Sequence, residues 1–403
     1  MSLFSAVLAS YERRQAGEMS NDALYEDLIR GAGMPAADWR VLMPVGKSAQ
    51  PRNLARRAVR WHQQTLKRMG LIERVPHKRG VWRATMQCKK ELTPAPPQTF
   101  LVSFSTDLGV ALWGSCSSVF SRIDEPIHLC LTSPPYCLSR PRYYGNPSEQ
   151  DYVDFVCESL EPIVRNLVAG GSICLNISND IFEKGLPARS LYRERLVLAL
   201  NDRLGLRLMD QMVWENRSKA PGPIQWASKK RFLLNTGWEP VYWFTNDPAR
   251  VRSDNRRVLK PHSPRHQRLI DQGGERRDAI FADGANRIKT GSFSNPTAGS
   301  IPKNVLSFGH RCAQQTPARN ALRSAGLPVH GAAMPFALAD FLVKFLSEPG
   351  DLVVDPFAGI CTTADASERN GRRWIASEIM FEYLWGASHR FEPATGFMMD
   401  ATL

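Results

Sequence analysis

The 403-residue chain has eight cysteines but no CxxC pair and no Cys/His cluster. That spacing excludes a structural zinc site and points to free thiols in a reducing compartment. No metal is expected. No run of about 18 apolar residues exists, so a membrane-spanning helix is excluded. The opening stretch "MSLFSAVLASYERRQ" has a short apolar run with no basic residues before it, so no secretory leader is read there. A cytoplasmic location is expected. No GxGxxG follows a strand-like run, which excludes a nicotinamide-dependent oxidoreductase. No internal repeat is found. Acidic residues are also in short supply: 39 Asp and Glu stand against 52 Lys and Arg, a net charge of +13. Such an excess suits a polyanion such as nucleic acid, against the alternative of a solvated basic surface.

What is present divides into parts. Residues 1–90 read as a small basic helical unit. "SNDALYEDLIRGAG" starts at a Ser/Asn cap and ends at glycine, and "NLARRAVRWHQQTLKRMGLI" gives a second helix. The second helix is expected to place Leu54, Ala58, Trp61, Leu66 and Met69 near one face. "GLIERVPHKRGVWRAT" reads as two strands joined by a turn at Arg79–Gly80. Two helices followed by a basic hairpin resemble a winged-helix domain, which can set a helix in the major groove and its wing on phosphates. A packing or dimerisation unit is the alternative. Residues 91–100, "ELTPAPPQTF", read as a proline-rich linker.

Strand and helix segments alternate from residue 101 to the end, at 403, which predicts an α/β domain with a mostly parallel sheet. A helix is expected over "QDYVDFVCESLEPIVRNLVAGG" and a strand over "SICLNIS". Residues 246–305 lose this rhythm and read as a loop-rich basic insertion, a candidate target-recognition region. Its Arg256, Arg257, Lys260 and Arg265 are candidate DNA contacts, with Arg250, Arg252 and Arg268 beside them.

Two short stretches carry the chemistry. In "DLVVDPFAGICTT" an apolar strand ends at Asp355, and a turn with Ala358 and Gly359 precedes a helix beginning near Thr362. Ligands of open α/β sheets bind at that edge. Glu378 ends the next strand, "WIASEI", where a carboxylate can accept hydrogen bonds from ribose hydroxyls. The other stretch is "LTSPPY". Pro134 and Pro135 stiffen the corner. The Ser133 hydroxyl and the Pro134 carbonyl offer hydrogen-bond acceptors, and Tyr136 supplies a ring. A planar base bearing an exocyclic amino group fits such a corner. Its amino hydrogens would meet the acceptors, and its nitrogen lone pair would turn toward an electrophile. Arg140, Arg142 and Tyr143 follow directly and are candidates to close over a flipped nucleotide.

The two motifs together, with the catalytic one first, resemble the β class of DNA amino-methyltransferases. The likeness covers roughly residues 104–390, including "MVWENRSKAPGP", "RFLLNTGWEPVYWFT" and "HGAAMPFALADFLVKFLSEPGDLVVDPFAGICTTADASERNGRRWIASEI". It implies a Rossmann-like fold, S-adenosylmethionine as cofactor, double-stranded DNA as substrate and a homodimer. By the same likeness Ser133, Pro134, Pro135 and Tyr136 form the catalytic corner. Asp355, Phe357, Gly359, Thr362, Glu378, His330 and Pro335 would hold the cofactor. The chain departs from the family pattern at Cys361, where the turn usually carries a second glycine. It departs again at "GSC", residues 114–116, where an acid commonly stands near the cofactor adenine. Serine before the two prolines is typical of N4-cytosine enzymes, whereas the whole chain resembles solitary adenine-specific ones. Adenine is therefore favoured slightly over cytosine. An inactive DNA-binding regulator and a methyltransferase acting on RNA or protein are the alternatives.

Overall fold

The computed structural model describes residues 18–31, 41–45, 50–68, 72–85, 92–138, 147–310 and 312–399, together with residues 3, 6, 7, 10, 11 and 39. The chain forms two compact units. One comprises residues 1–93 with 320–329, and the other residues 94–319 with 330–403.

In the smaller unit, β1 (Glu18–Ser20) leads into α1 (Asn21–Gly31). The hairpin β2 (Leu42–Val45) and β3 (Gln50–Asn53) follows, then α2 (Leu54–Arg68) and the pair β4 (Ile72–Arg74) and β5 (Val81–Ala84). β1, β5 and β4 make an antiparallel sheet in that order. Polar caps fix the helix starts. Ser20 Oγ accepts the Ala23 amide at 3.2 Å, and Asn53 Oδ1 accepts the Arg56 amide at 2.8 Å. The face expected for α2 is corrected. Leu66 is buried as expected, but Leu54 and Trp61 are 45% and 61% exposed, and Val59 and Gln63 are buried instead, with Val59 and Leu66 in one core with Leu24, Leu28 and Trp82. A glutamine at a core position disguised the stripe. Gln63 is satisfied there, donating to Tyr11 Oη at 2.8 Å and to Asn21 Oδ1 at 3.0 Å. Met69 lies outside the described residues.

The larger unit is built on a ten-stranded sheet. Its elements in chain order are β6 (Phe100–Ser105), β7 (Gly109–Gly114), α3 (Cys116–Phe120), β8 (Ile127–Thr132), α4 (Tyr152–Arg165) and β9 (Leu167–Asn176). α5 (Tyr192–Leu204), β10 (Arg207–Glu215) and β11 (Trp238–Thr245) come next. α6 (Pro264–Asp271), β12 (Ala279–Phe281) and β13 (Asn286–Ile288) occupy the insertion. β14 (Val305–Ser307), α7 (Phe336–Leu346), β15 (Leu352–Asp355), α8 (Thr362–Arg369), β16 (Arg373–Glu378), α9 (Phe381–Ser388) and β17 (Met398–Met399) complete it. The strand order is β14-β10-β11-β9-β8-β15-β16-β7-β6-β17, with β9, β8, β15, β16 and β7 mutually parallel.

Alternation along β15 shows why the sheet is covered on both faces. Leu352 and Val354 pack with Val156, Leu160 and Leu196 of α4 and α5. Val353 packs with Leu338, Leu342 and Val343 of α7. The expected α4 is shorter than its sequence suggested. It ends at Arg165, and β9 already starts at Leu167. Gly170, at φ +78°, lies so close to Arg250 that a Cβ would sit 1.8 Å from the Arg250 carbonyl oxygen. That close approach seats the start of the insertion and requires glycine. The start of the larger unit is bound rather than free: Pro94 bridges Met380, and the Ala95 amide donates to the Ile379 carbonyl at 2.8 Å.

Candidate active site

β8 and β15 are neighbours, with Leu129 beside Val353 and Cys130 beside Val354. Their C-terminal tips therefore open on the same edge, and one cavity of about 340 Å³ joins them. Ser133, Pro134, Pro135 and Tyr136 line it from the β8 side. Asp355, Phe357, Gly359, Thr362 and Glu378 line it from the β15–β16 side, with His330 also in the wall. Ala332, Ala333 and Met334 line it as well; Pro335, expected beside the cofactor, is not in the lining and is the residue preceding α7. Residues 114–116, where the chain departs from the family pattern, also reach the cavity. Ser115 caps α3 there, accepting the Ser118 amide at 3.2 Å.

A set of hydrogen bonds ties the two strand tips. Thr132 Oγ1 donates to Asp355 Oδ1 at 2.6 Å, and Thr363 Oγ1 donates to the Leu131 carbonyl at 3.0 Å. Asp355 thus bridges the strands as well as lining the wall, and its Oδ1 also accepts the Phe357 amide at 3.1 Å. Burial pushes its carboxyl up to about 6, against the hydrogen bonds from Thr132 and the Phe357 amide. Glu378 accepts the Gly359 amide at 2.7 Å and the Met380 amide at 3.0 Å. Burial raises it to about 7, opposed by the Met380 and Gly359 amides, and the Asp355 charge adds to the rise.

The turn between β15 and α8 is shaped by two left-handed residues. Gly359 has φ +53°, and a Cβ there would lie 3.2 Å from His330 Nε2. Cys361 has φ +56° and is fully buried, so this chain holds an ordinary L-residue where glycine is favoured. Beneath the turn, the fully buried Arg390 pairs with Asp365 at 2.7 Å and donates to the Ile360 carbonyl. Among the described residues no group of three or more His, Cys, Asp or Glu is arranged to hold a metal ion.

On the β8 side Ser133 Oγ and Tyr136 Oη are 3.0 Å apart, and Tyr136 Oη donates to Asn176 Oδ1 at 3.4 Å. Asn176 ends β9 and is buried. Sequence reading passed over Asn176, Thr132 and Arg390. The strand order, once known, places Asn176 beside the Ser133–Tyr136 corner.

The candidate DNA contacts fare unequally. Arg140, Arg142 and Tyr143 lie outside the described residues. Arg256 pairs with Asp254 at 2.7 Å, and Arg257 binds Glu348 and the Ser347 carbonyl. Nearby, Arg250 pairs with Asp247 at 2.5 Å and Arg252 with Asp351 at 3.2 Å. These partners brace the insertion. Lys260 and Arg265 are exposed, as is Arg268.

Residues 127–388 match a family model described as DNA methylase, the N6/N4 type. The chain belongs to the N6/N4 DNA methylase family. This methylase is 34% identical to the type II methyltransferase M.PvuII of Proteus hauseri over 268 residues, 66% of this chain and 79% of that one. It is 24% identical to M.BglII of Bacillus subtilis over 264 residues, 65% and 62% of the two chains. Among solved structures, the PvuII DNA methyltransferase, cytosine-N4-specific, superposes with a TM-score of 0.56 at 28% identity, covering 71% of this chain and 87% of that one. The methylase has no helix, among its described residues, long and apolar enough to cross a membrane.

Proposed function

We propose that this methylase transfers the methyl group of S-adenosylmethionine to N4 of a cytosine flipped out of double-stranded DNA. The observation that carries the reading is the single cavity shared by the Ser133–Tyr136 corner and the Asp355–Glu378 wall. At about 340 Å³ it falls in the range of roughly 300–1,000 Å³ typical of small-molecule sites. Its walls suit a nucleoside carrying a positive charge. Phe357 and Ile379 give apolar surface, two buried carboxyls face the interior, and the bare Gly359 backbone leaves room that a side chain would fill against His330. Glu378 keeps acceptor capacity for ribose hydroxyls beyond its two amide bonds. The cofactor, when bound, supplies a methyl group on a sulfonium.

The chain's own residues do the remaining work by positioning. Ser133 Oγ and the Pro134 carbonyl accept the two amino hydrogens of the base, and the Tyr136 ring supports its face. That grip turns the nitrogen lone pair out of conjugation and toward the donor side of the cavity. The nucleophile is neutral, so no strong base is needed, and its proton leaves after transfer. Cytosine replaces the slight preference for adenine. Serine occupies the acceptor position here, and the cytosine-N4-specific enzyme named above is similar to this chain over most of its length. Lys260 and Arg265, together with a winged-helix-like smaller unit, supply phosphate contacts in this reading, and the enzyme works as a homodimer.

Purified protein given methyl-labelled S-adenosylmethionine should label duplex DNA. Label appearing in RNA or protein instead would favour the other methyltransferase readings. Cofactor binding without transfer to any of the three would favour an inactive regulator.

A further inference from the structure

We propose that Asn176 is a positioning residue that sets the polarity of the catalytic hydroxyls, so that Ser133 can only accept from the base. This rests on the reading of Ser133 as the amino-group acceptor. The distance of 3.0 Å between Ser133 Oγ and Tyr136 Oη leaves the direction of that hydrogen bond open, because either hydroxyl can donate. The next bond decides it. Asn176 Nδ2 lies 3.3 Å from the Pro240 carbonyl oxygen, which has no proton to give. The amide nitrogen must therefore face Pro240, and the amide oxygen must face Tyr136. Tyr136 Oη then donates to Asn176 Oδ1 at 3.4 Å. With its one proton engaged, Tyr136 can only accept from Ser133. The Ser133 proton points at Tyr136, and its lone pairs are left for the cavity.

The chain of four hydrogen bonds runs in one direction: base amino group to Ser133, Ser133 to Tyr136, Tyr136 to Asn176, Asn176 to Pro240. Its far end is rigid. Pro240 and Val241 belong to β11, and Val241 is registered opposite Asn176 of β9. The same Pro240 carbonyl also accepts the Ile177 amide at 3.2 Å, so the anchor cannot swing. Asn176 is 2% exposed, which keeps water from competing for its oxygen. A hydroxyl free to rotate would present its proton to the amino group in part of the population, and that arrangement repels the nucleophile. The tyrosine therefore has a second task beside offering a ring, one that phenylalanine cannot perform.

The test is a double-mutant cycle on single-turnover methyl transfer, using Tyr136→Phe, Asn176→Ala and the pair, with S-adenosylmethionine and DNA affinities measured alongside. Each single change is expected to slow transfer roughly tenfold, which is about 1.4 kcal/mol and the worth of one hydrogen bond. Both affinities should stay within about twofold, and the pair should be no slower than either single change. Tyr136→Phe keeps the ring and the packing, so it reads the hydroxyl even if Asn176→Ala folds poorly. Unchanged transfer in Tyr136→Phe, or losses that multiply to roughly a hundredfold in the pair, would overturn the inference. Failure of the underlying reading looks different: the unaltered protein would methylate nothing, or Ser133→Ala would be as fast as the parent.

Discussion

Glu378 carries the most direct pH consequence of any single side chain. Its carboxyl is raised to about 7, and that of Asp355 to about 6, so both hold protons more tightly in the folded protein than in the unfolded chain. The stabilisation from this tighter proton binding is present below the ordinary carboxyl range and is lost as pH rises toward about 7. The ligand-free protein should therefore melt at a lower temperature at pH 8 than at pH 6, as far as these two groups decide it. Cofactor binding is expected to run the other way, because an ionised carboxylate accepts from ribose hydroxyls more strongly than a protonated one. Calorimetric affinity for S-adenosylmethionine should fall on acidification below about pH 7, approaching tenfold per unit, while Glu378→Gln should be weak and flat. At this scale the sequence was legible where a motif names a residue. "SPPY" and "DPFAG" led straight to lining side chains. Asn176 was not legible, because an asparagine ending a buried strand acquires meaning only from the neighbouring strand.

Among the elements, α8 and the turn before it govern the site. The first turn of α8 reaches the β8 tip through Thr363, and the turn before it is held by the Asp365–Arg390 pair and the Arg390 bond to the Ile360 carbonyl. Arg390 is fully buried, so Arg390→Ala leaves Asp365 with only Arg369, which is half exposed. Chemical denaturation should show a loss of about 3–5 kcal/mol for Arg390→Ala, with cofactor binding lost as the turn loosens. Strands β9, β15 and β16 and helices α4, α7 and α8 were readable from the sequence, whereas β6, β7, α3 and the elements inside the insertion were not. The face of α2 was not, because Gln63 fills a core position through two hydrogen bonds that periodicity cannot see. The length of α4 was also misread. "NLVAGG" is apolar enough to continue a helix, yet it pairs with β8 as the start of β9.

For the molecule as a whole, the net charge of +13 argues for contact with DNA phosphates, but not every cation is available for it. Guanidinium groups with carboxylate partners release few counterions on binding. DNA affinity should fall steeply with salt, and Lys260→Ala and Arg265→Ala should each lower the log–log slope by about 1. Arg256→Ala should change it much less, because Asp254 already holds that guanidinium. Which arginines pair with acids distant in the chain, as Arg252 does with Asp351, could not be counted from a local basic run. The permuted motif order was plain in the sequence, and the sheet explains it, since β8 and β15 are adjacent although more than two hundred residues separate them. The central claim is that Ser133 presents an acceptor to an exocyclic amino group across a cavity shared with the methyl donor. Nucleoside mass spectrometry of plasmid DNA from cells expressing the protein tests it most directly. N4-methylcytosine should be present with the unaltered chain and absent, or reduced at least a hundredfold, with Ser133→Ala; DNA carrying no methylated amino group, or equal modification by both proteins, would contradict the account.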